Sequence, residues 1–305
     1  VGAGVFKAPS TARTMASTIP RGVRWVKARV KGFDPLGQLV ILDDGRTISY
    51  EQLIVCPGLK LDWAAIDGLS ETLGRNGVTS NYRYDLAPYT WELVQKLKQG
   101  RAVFCQPPMP IKCAGAPQKA LYLSCDHWLR HGHLDAVKAS FYNAGAVLFG
   151  VADYVPALMK YIEKYAVDLN FSHRLLAVDG PGKRATFLRT LPDGSSETRI
   201  EAFDMLHVVP PQVAPDFIRE SPLADSSGWV DVDLTAEGEA QARRGAGQSD
   251  PLSRSFSSRS AIAWRISAPA PEENTIGTTP IIKAIDVINI GRKRRRPASS
   301  IASIA

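Results

Sequence analysis

Cysteine is scarce in this chain, with Cys56, Cys105, Cys113 and Cys125 the only four among 305 residues. Four thiols at irregular spacing exclude a disulfide framework and a zinc site, and they point to a reducing compartment. No apolar run of about 18 residues occurs, so no membrane span is expected. Neither is there a charged-then-apolar leader. The chain opens on Val1 rather than methionine, so residues are expected ahead of it. No Gly-x-Ser-x-Gly turn is present, so no Ser-His-Asp arrangement can be read. His127, His131 and His133 lack a carboxylate or cysteine to complete a metal set, and read as solvated histidines at a helix end.

Excess positive charge is also missing from most of the chain. The net charge is +7, but residues 234–305 carry eleven Lys/Arg against six Asp/Glu, leaving +2 for everything before them. The body therefore offers no electrostatic basis for binding nucleic acid. The run Arg292-Lys293-Arg294-Arg295-Arg296 reads as solvated charge. With ten serines and two aromatics, residues 234–305 read as a disordered or foreign tail. Only Ile281 to Ile290 has the makings of a short element there.

What is present is an α/β pattern. Gly22 to Val30 alternates apolar and polar side chains as a strand does. Leu39–Leu42, Asp43-Asp44-Gly45 and Thr47–Tyr50 predict a hairpin. Leu53 to Cys56 predicts a buried strand stopped by Pro57-Gly58. Residues 62–90 are loop-rich, and Trp91 to Lys98 has helical spacing. Strand, helix, strand, helix, strand then follow at Ala102–Cys105, residues 117–131, Ala139–Ala144, Val155–Tyr165 and Val167–Phe171. In the first of these helices Leu121, Tyr122, Trp128 and Leu129 are available for packing. That alternation predicts a parallel sheet covered by helices. Hairpin-like strands at Arg174–Val178, Ala185–Leu191 and Glu197–Glu201 come next, and Met205–Val209 closes the unit.

Dinucleotide-binding sheets carry Gly-x-Gly-x-x-Gly after the first strand, where backbone amides meet pyrophosphate. After Cys105 this chain has prolines and a cysteine instead, which argues against a nicotinamide site in this unit. Val1-Gly2-Ala3-Gly4 has no preceding strand and is a weak phosphate loop.

The replacement loop runs Gln106-Pro107-Pro108-Met109-Pro110-Ile111-Lys112-Cys113-Ala114-Gly115-Ala116-Pro117. Its prolines keep the approach non-helical, and Pro117 suits the first turn of the following helix. Cys113 is thus expected just ahead of a helix N-terminus, between Lys112 and Lys119. Positive dipole and ammonium charge there favour a thiolate nucleophile or redox centre over a small buried hydrophobe.

Lys112-Cys113-Ala114-Gly115-Ala116-Pro117-Gln118-Lys119 resembles the cysteine motif of sulfide:quinone oxidoreductases of the bacterial and mitochondrial branch. Trp25–Val30, Leu53–Gly58, Met205–Pro211 and Gly228–Asp233 resemble the same family. The resemblance implies two dinucleotide-binding-like (Rossmann-type) domains of the flavoprotein disulfide reductase kind, the first incomplete. It divides the chain into a partial FAD domain (1–92), a second Rossmann-like domain carrying the cysteine (93–212), a return to the FAD domain (213–233) and a divergent tail (234–305).

The implied activity is oxidation of hydrogen sulfide to a persulfide, with electrons passing through FAD to a ubiquinone-type quinone. The persulfide then goes to a sulfur acceptor. Peripheral contact with a bacterial cytoplasmic or mitochondrial inner membrane follows from the same resemblance. Cys113 matches one of a redox pair, Val30 the backbone facing the FAD adenine, and Pro57-Gly58 the end of a strand against the cofactor. The family's Gly-rich FAD loop would lie before Val1, and no other cysteine matches the second redox position. Poor FAD binding and little turnover are therefore expected of this chain alone. An NAD(P)H-dependent flavin oxidoreductase of similar architecture, or an inactive remnant acting as a binding module, are the alternatives.

Overall fold

The computed structural model describes residues 1–232. Asp233, the serine-rich tail, its basic run and Ile281–Ile290 lie outside the described residues.

Val30–Asp34 (β1), Leu39–Leu42 (β2) and Thr47–Ser49 (β3) form a three-stranded antiparallel sheet. The expected hairpin is its β2–β3 half, turned at Gly45 with φ +85°. Further on, Lys60–Leu61 (β4) pairs with Gln212–Val213 (β13) as a two-stranded ribbon. Val78–Thr79 (β5), Gly100–Gln106 (β6), Val137–Asn143 (β7), Asp168–Phe171 (β8) and Met205–His207 (β12) form a parallel sheet in the order β5-β12-β6-β7-β8. His173–Asp179 (β9), Arg184–Thr190 (β10) and Ser196–Ala202 (β11) make a third, antiparallel sheet. Short helices lie at Met15–Thr18 (α1), Leu69–Thr72 (α2) and Asp216–Arg219 (α6). Longer ones span Ala87–Lys96 (α3), Gly115–Arg130 (α4) and Val155–Lys164 (α5).

Strand β6 is buried on both faces, and its alternation divides the core. Ala102 and Phe104 join Val94, Leu121, Trp128 and Ile162 under the helices. Val103 and Cys105 point the other way, into a core with Tyr142, Leu175 and Phe187 beneath β9–β11. Tyr142 and Phe187 stack there with ring centroids 4.1 Å apart. A third cluster joins Phe33, Val40 and Leu42 to Ala214 and Ile218, with Val26, Ala28, Val30, Val55 and Trp229 packed around it.

Helix α4 buries Gln118, Leu121, Cys125 and Trp128, the three- and four-residue spacing of one helical face. Leu129, expected among its packing residues, is exposed because it falls off that face. The helix seen at residues 87–96 begins four residues earlier than its apolar spacing indicated, with Pro88 in its first turn.

Two expected strands are not strands. Of Gly22 to Val30 only Val30 enters a ladder, and Leu53 to Gly58 enters none. Alternation did set their facing: Val26, Ala28 and Val55 turn inward while Trp25, Lys27, Ile54 and Cys56 are exposed. A strand also needs a neighbour to supply its ladder: the first segment meets one only at its end, where Asp43 N donates to Arg29 O and Val30 pairs with Leu42, and among the described residues the second pairs with none.

Trp128 is fully buried and its indole N–H donates to Val94 O at 2.9 Å. Trp128→Ala should therefore cost about 3–5 kcal/mol of unfolding free energy, read as a fall in the urea midpoint. Leu129→Ala, on the exposed side of the same turn, should move that midpoint within about 0.5 kcal/mol.

Candidate active site

The C-terminal edge of a parallel sheet is where such folds present functional groups. Here β6 delivers the chain at Gln106 to the proline-rich loop, which returns it to α4. Cys113 stands immediately before the Ala114 cap residue, with half-buried surface, so the thiol sits ahead of a helix start as its sequence context indicates. That start has no side-chain cap and no acidic residue in its first turn. Lys112 and Lys119 are both exposed.

The loop backbone is fixed from outside. Cys113 has φ +62°, a left-handed conformation for a residue with a Cβ. Its carbonyl accepts from Ala116 N at 2.8 Å, starting the helix. The Tyr82 hydroxyl donates to Lys112 O at 2.9 Å and lies 3.3 Å from Cys113 O. From β13 the buried Gln212 accepts the Lys112 amide on its Oε1. Gln212 Nε2 is buried with no full hydrogen bond among the described residues, though it sits close enough to Tyr82 to favour a phenolate slightly. Burial, and then charge at Cys113, outweigh this and push the Tyr82 phenol well above its ordinary range, so it is a neutral donor.

Tyr82 is in turn placed by the neighbouring strand ends. Ser80 Oγ accepts the Tyr82 amide at 3.1 Å, and His207 Nε2, at the end of β12, accepts the Asn81 amide at 3.0 Å. Burial pushes the His207 imidazole down to about 4, which keeps it neutral and able to accept. Its ring stacks on Phe104 at 5.9 Å.

The other thiols are separated from this loop by the sheet's alternation and by α4. Burial pushes Cys105 and Cys125 up to about 12 each. Cys56 is exposed, in the unpaired segment ahead of Pro57. Gly58, with φ +80° and open space where a Cβ would stand, lies two residues before β4. The β4–β13 ribbon thereby ties Pro57-Gly58 to Gln212 and so to the cysteine loop. Val30 is packed on the third cluster. Beside it a cavity of about 400 Å³ is lined by Trp25, Lys27, Ala28, Arg29, Asp43 and Asp44. Tyr82, Gln212 and His207 escape sequence reasoning: Tyr82 lies in a loop-rich stretch, and Gln212 acts through a contact 100 residues away in sequence. Among the described residues no cluster of His, Cys, Asp and Glu suits a metal, and no helix is long and apolar enough to cross a membrane.

Two outcomes are expected. Near neutral pH only Cys56 and Cys113 should react with a thiol reagent, Cys105 and Cys125 appearing after denaturation; a third fast thiol would contradict their burial. His207 titrates lower in the folded chain than the ordinary 6.5, so the unfolded chain binds more protons between those values. The stability it contributes is complete above about 6.5 and is lost as pH falls toward about 4, by up to ~3 kcal/mol. His207→Gln should flatten that part of a urea-midpoint profile.

No protein-family model matches the chain. The mitochondrial sulfide:quinone oxidoreductase of Dictyostelium discoideum is 41% identical over 235 residues, covering 76% of this chain and 51% of that protein. The chain thus spans about half the length of the curated relatives it matches. Among solved structures, a chain in the Tetrahymena thermophila mitochondrial ATP synthase assembly aligns at TM-score 0.58 and 23% identity, over 70% of this chain and 53% of that one. The sulfide:quinone oxidoreductase of Aquifex aeolicus aligns at TM-score 0.55 and 18% identity, over 67% of this chain and 47% of that one. These two likenesses place the fold among Rossmann-type α/β structures. Over the stretch it shares with its curated relatives, about three-quarters of its own length, the chain is similar to mitochondrial sulfide:quinone oxidoreductases at 36–41% identity.

Proposed function

We propose that this chain supplies the cysteine-bearing half of an FAD-dependent enzyme that oxidises hydrogen sulfide and reduces a quinone. The observation that carries the reading is Cys113, held half-exposed ahead of an uncapped helix start where a nucleotide-binding sheet would otherwise carry its phosphate loop. In this reading hydrosulfide attacks a sulfur bridge between Cys113 and a second cysteine. A new S–S bond leaves one partner as a persulfide and releases the other as a thiolate. Cys56, Cys105 and Cys125 do not match the second position, and Cys105 and Cys125 are buried on different sides of the sheet.

The residues present suit part of an FAD site. Beside Val30, Trp25 and Ala28 offer apolar surface to an adenine, with the cations Lys27 and Arg29 and the carboxylates Asp43 and Asp44 available to polar groups of the same ligand. The open backbone at Pro57-Gly58 admits a close planar ligand. FAD, when bound, supplies a two-electron relay from sulfur to quinone. Cys113 supplies one of the two sulfurs of that exchange, while Val30 and Pro57-Gly58 hold the cofactor. The proposed division is a partial FAD domain over 1–92, the cysteine domain over 93–212 and a return over 213–233. Peripheral attachment to a bacterial cytoplasmic or mitochondrial inner membrane, where the quinone resides, completes the reading.

In a full-length protein carrying this sequence, Cys113→Ser should lower sulfide-dependent quinone reduction by roughly 1000-fold or more. Retained activity removes Cys113 from the mechanism, and NADH-dependent flavin reduction in its place supports a pyridine-nucleotide oxidoreductase. The 305-residue chain by itself should purify without the flavin absorbance bands; stoichiometric FAD would contradict the partial site.

A further inference from the structure

Cys113 occupies a backbone region that residues with a Cβ avoid, and such a conformation persists only where its surroundings over-determine it. Here the surroundings are two side chains from distant segments. One is the Tyr82 hydroxyl on the carbonyls of Lys112 and Cys113; the other is Gln212 Oε1 on the Lys112 amide. Together they hold the peptide units on both sides of Lys112 and the carbonyl of Cys113, leaving the turn into α4 little freedom. We infer that Tyr82 and Gln212 are positioning residues for Cys113: they hold its peptide in the left-handed turn and so aim the sulfur at the open side of the loop. The inference rests on the proposed function only in taking Cys113 as the reacting thiol.

Neither side chain need touch sulfide or cofactor to act this way. Tyr82 is suited to the task because its phenol stays protonated across the working pH range, so the donor is never lost. It is also carried on a rigid support, the β5 end braced by Ser80 and His207. Gln212 is carried by β13, paired to β4. A freed loop would let Cys113 relax to a right-handed or extended backbone, turning its Cβ and sulfur to another direction.

The test uses the full 305-residue chain with Cys56→Ser, so that native-state alkylation by iodoacetamide reports Cys113 alone. Rates are followed by mass spectrometry from about pH 6 to 9, to separate thiolate fraction from presentation of the sulfur. Tyr82→Phe should lower the high-pH plateau rate about fivefold or more, the equivalent of one neutral hydrogen bond. Gln212→Leu should lower it similarly, and the double variant should lose less than the product of the two, because both act on the backbone of one residue, Lys112. Tyr84→Phe removes a hydroxyl that donates to Ala8 O, outside the loop, and should leave the plateau unchanged. An unchanged or faster plateau in Tyr82→Phe overturns the inference, as does an equal loss in Tyr84→Phe or multiplicative losses in the double variant. In the chain with Cys56 intact, Cys113 should react faster than Cys56. The reverse order would sink the proposed function itself, whereas equal rates in Tyr82→Phe and its parent sink the positioning role alone.

Discussion

Strand β6 must satisfy two apolar layers at once, and most of what surrounds the candidate site follows from that constraint. Its even-numbered residues fill the helix side and its odd-numbered residues the side under β9–β11. Burial continues through Cys105 and Gln106, so the chain leaves the sheet at one defined point on its carboxyl edge. Cys105, one residue from that exit, is committed to the core by the strand's period. Cys113, beyond the loop, is left at the surface of the next helix start. Two cysteines eight positions apart thus differ in burial for a geometric reason.

The loop gains definition from places that its own sequence does not reach. Tyr82 comes from the end of β5, Gln212 from β13, and His207 from the end of β12 fixes the turn that carries Tyr82. Because β5 and β12 are adjacent in the sheet, these contacts share a common support. The same ribbon that bears Gln212 leads back to Pro57-Gly58, so a ligand laid along it would lie close to the cysteine loop. Val30 packs on the third cluster, which Ala214 joins one residue after β13.

Much of this was legible in the residues. The strand–helix alternation from Ala102 to Phe171, the Asp-Gly hairpin, and the position of Cys113 before a helix all follow from local rules of period, turn chemistry and proline. The missing phosphate loop was legible as well. The failures are instructive because period was read correctly in both: Gly22–Val30 and Leu53–Gly58 face their side chains as strands do, yet pairing depends on a neighbour that composition cannot supply. Tyr82 and Gln212 were invisible for a related reason. Their partners are backbone groups of a loop distant in sequence, and a backbone acceptor carries no residue identity to recognise. His207 gave no sign of its role because an apolar run with one histidine reads as core, which it also is.

Gln212 lies far downstream of the cysteine it steadies. A chain emerging from the ribosome with β6, α4 and even β10 complete already carries the thiol, but lacks the amide that grips its loop and the strand that braces Tyr82. During synthesis the sulfur is therefore presented without a fixed bearing, and it acquires one only after β12 and β13 have joined the sheet and ribbon. The bearing of that sulfur is thus among the last features of the fold to be set.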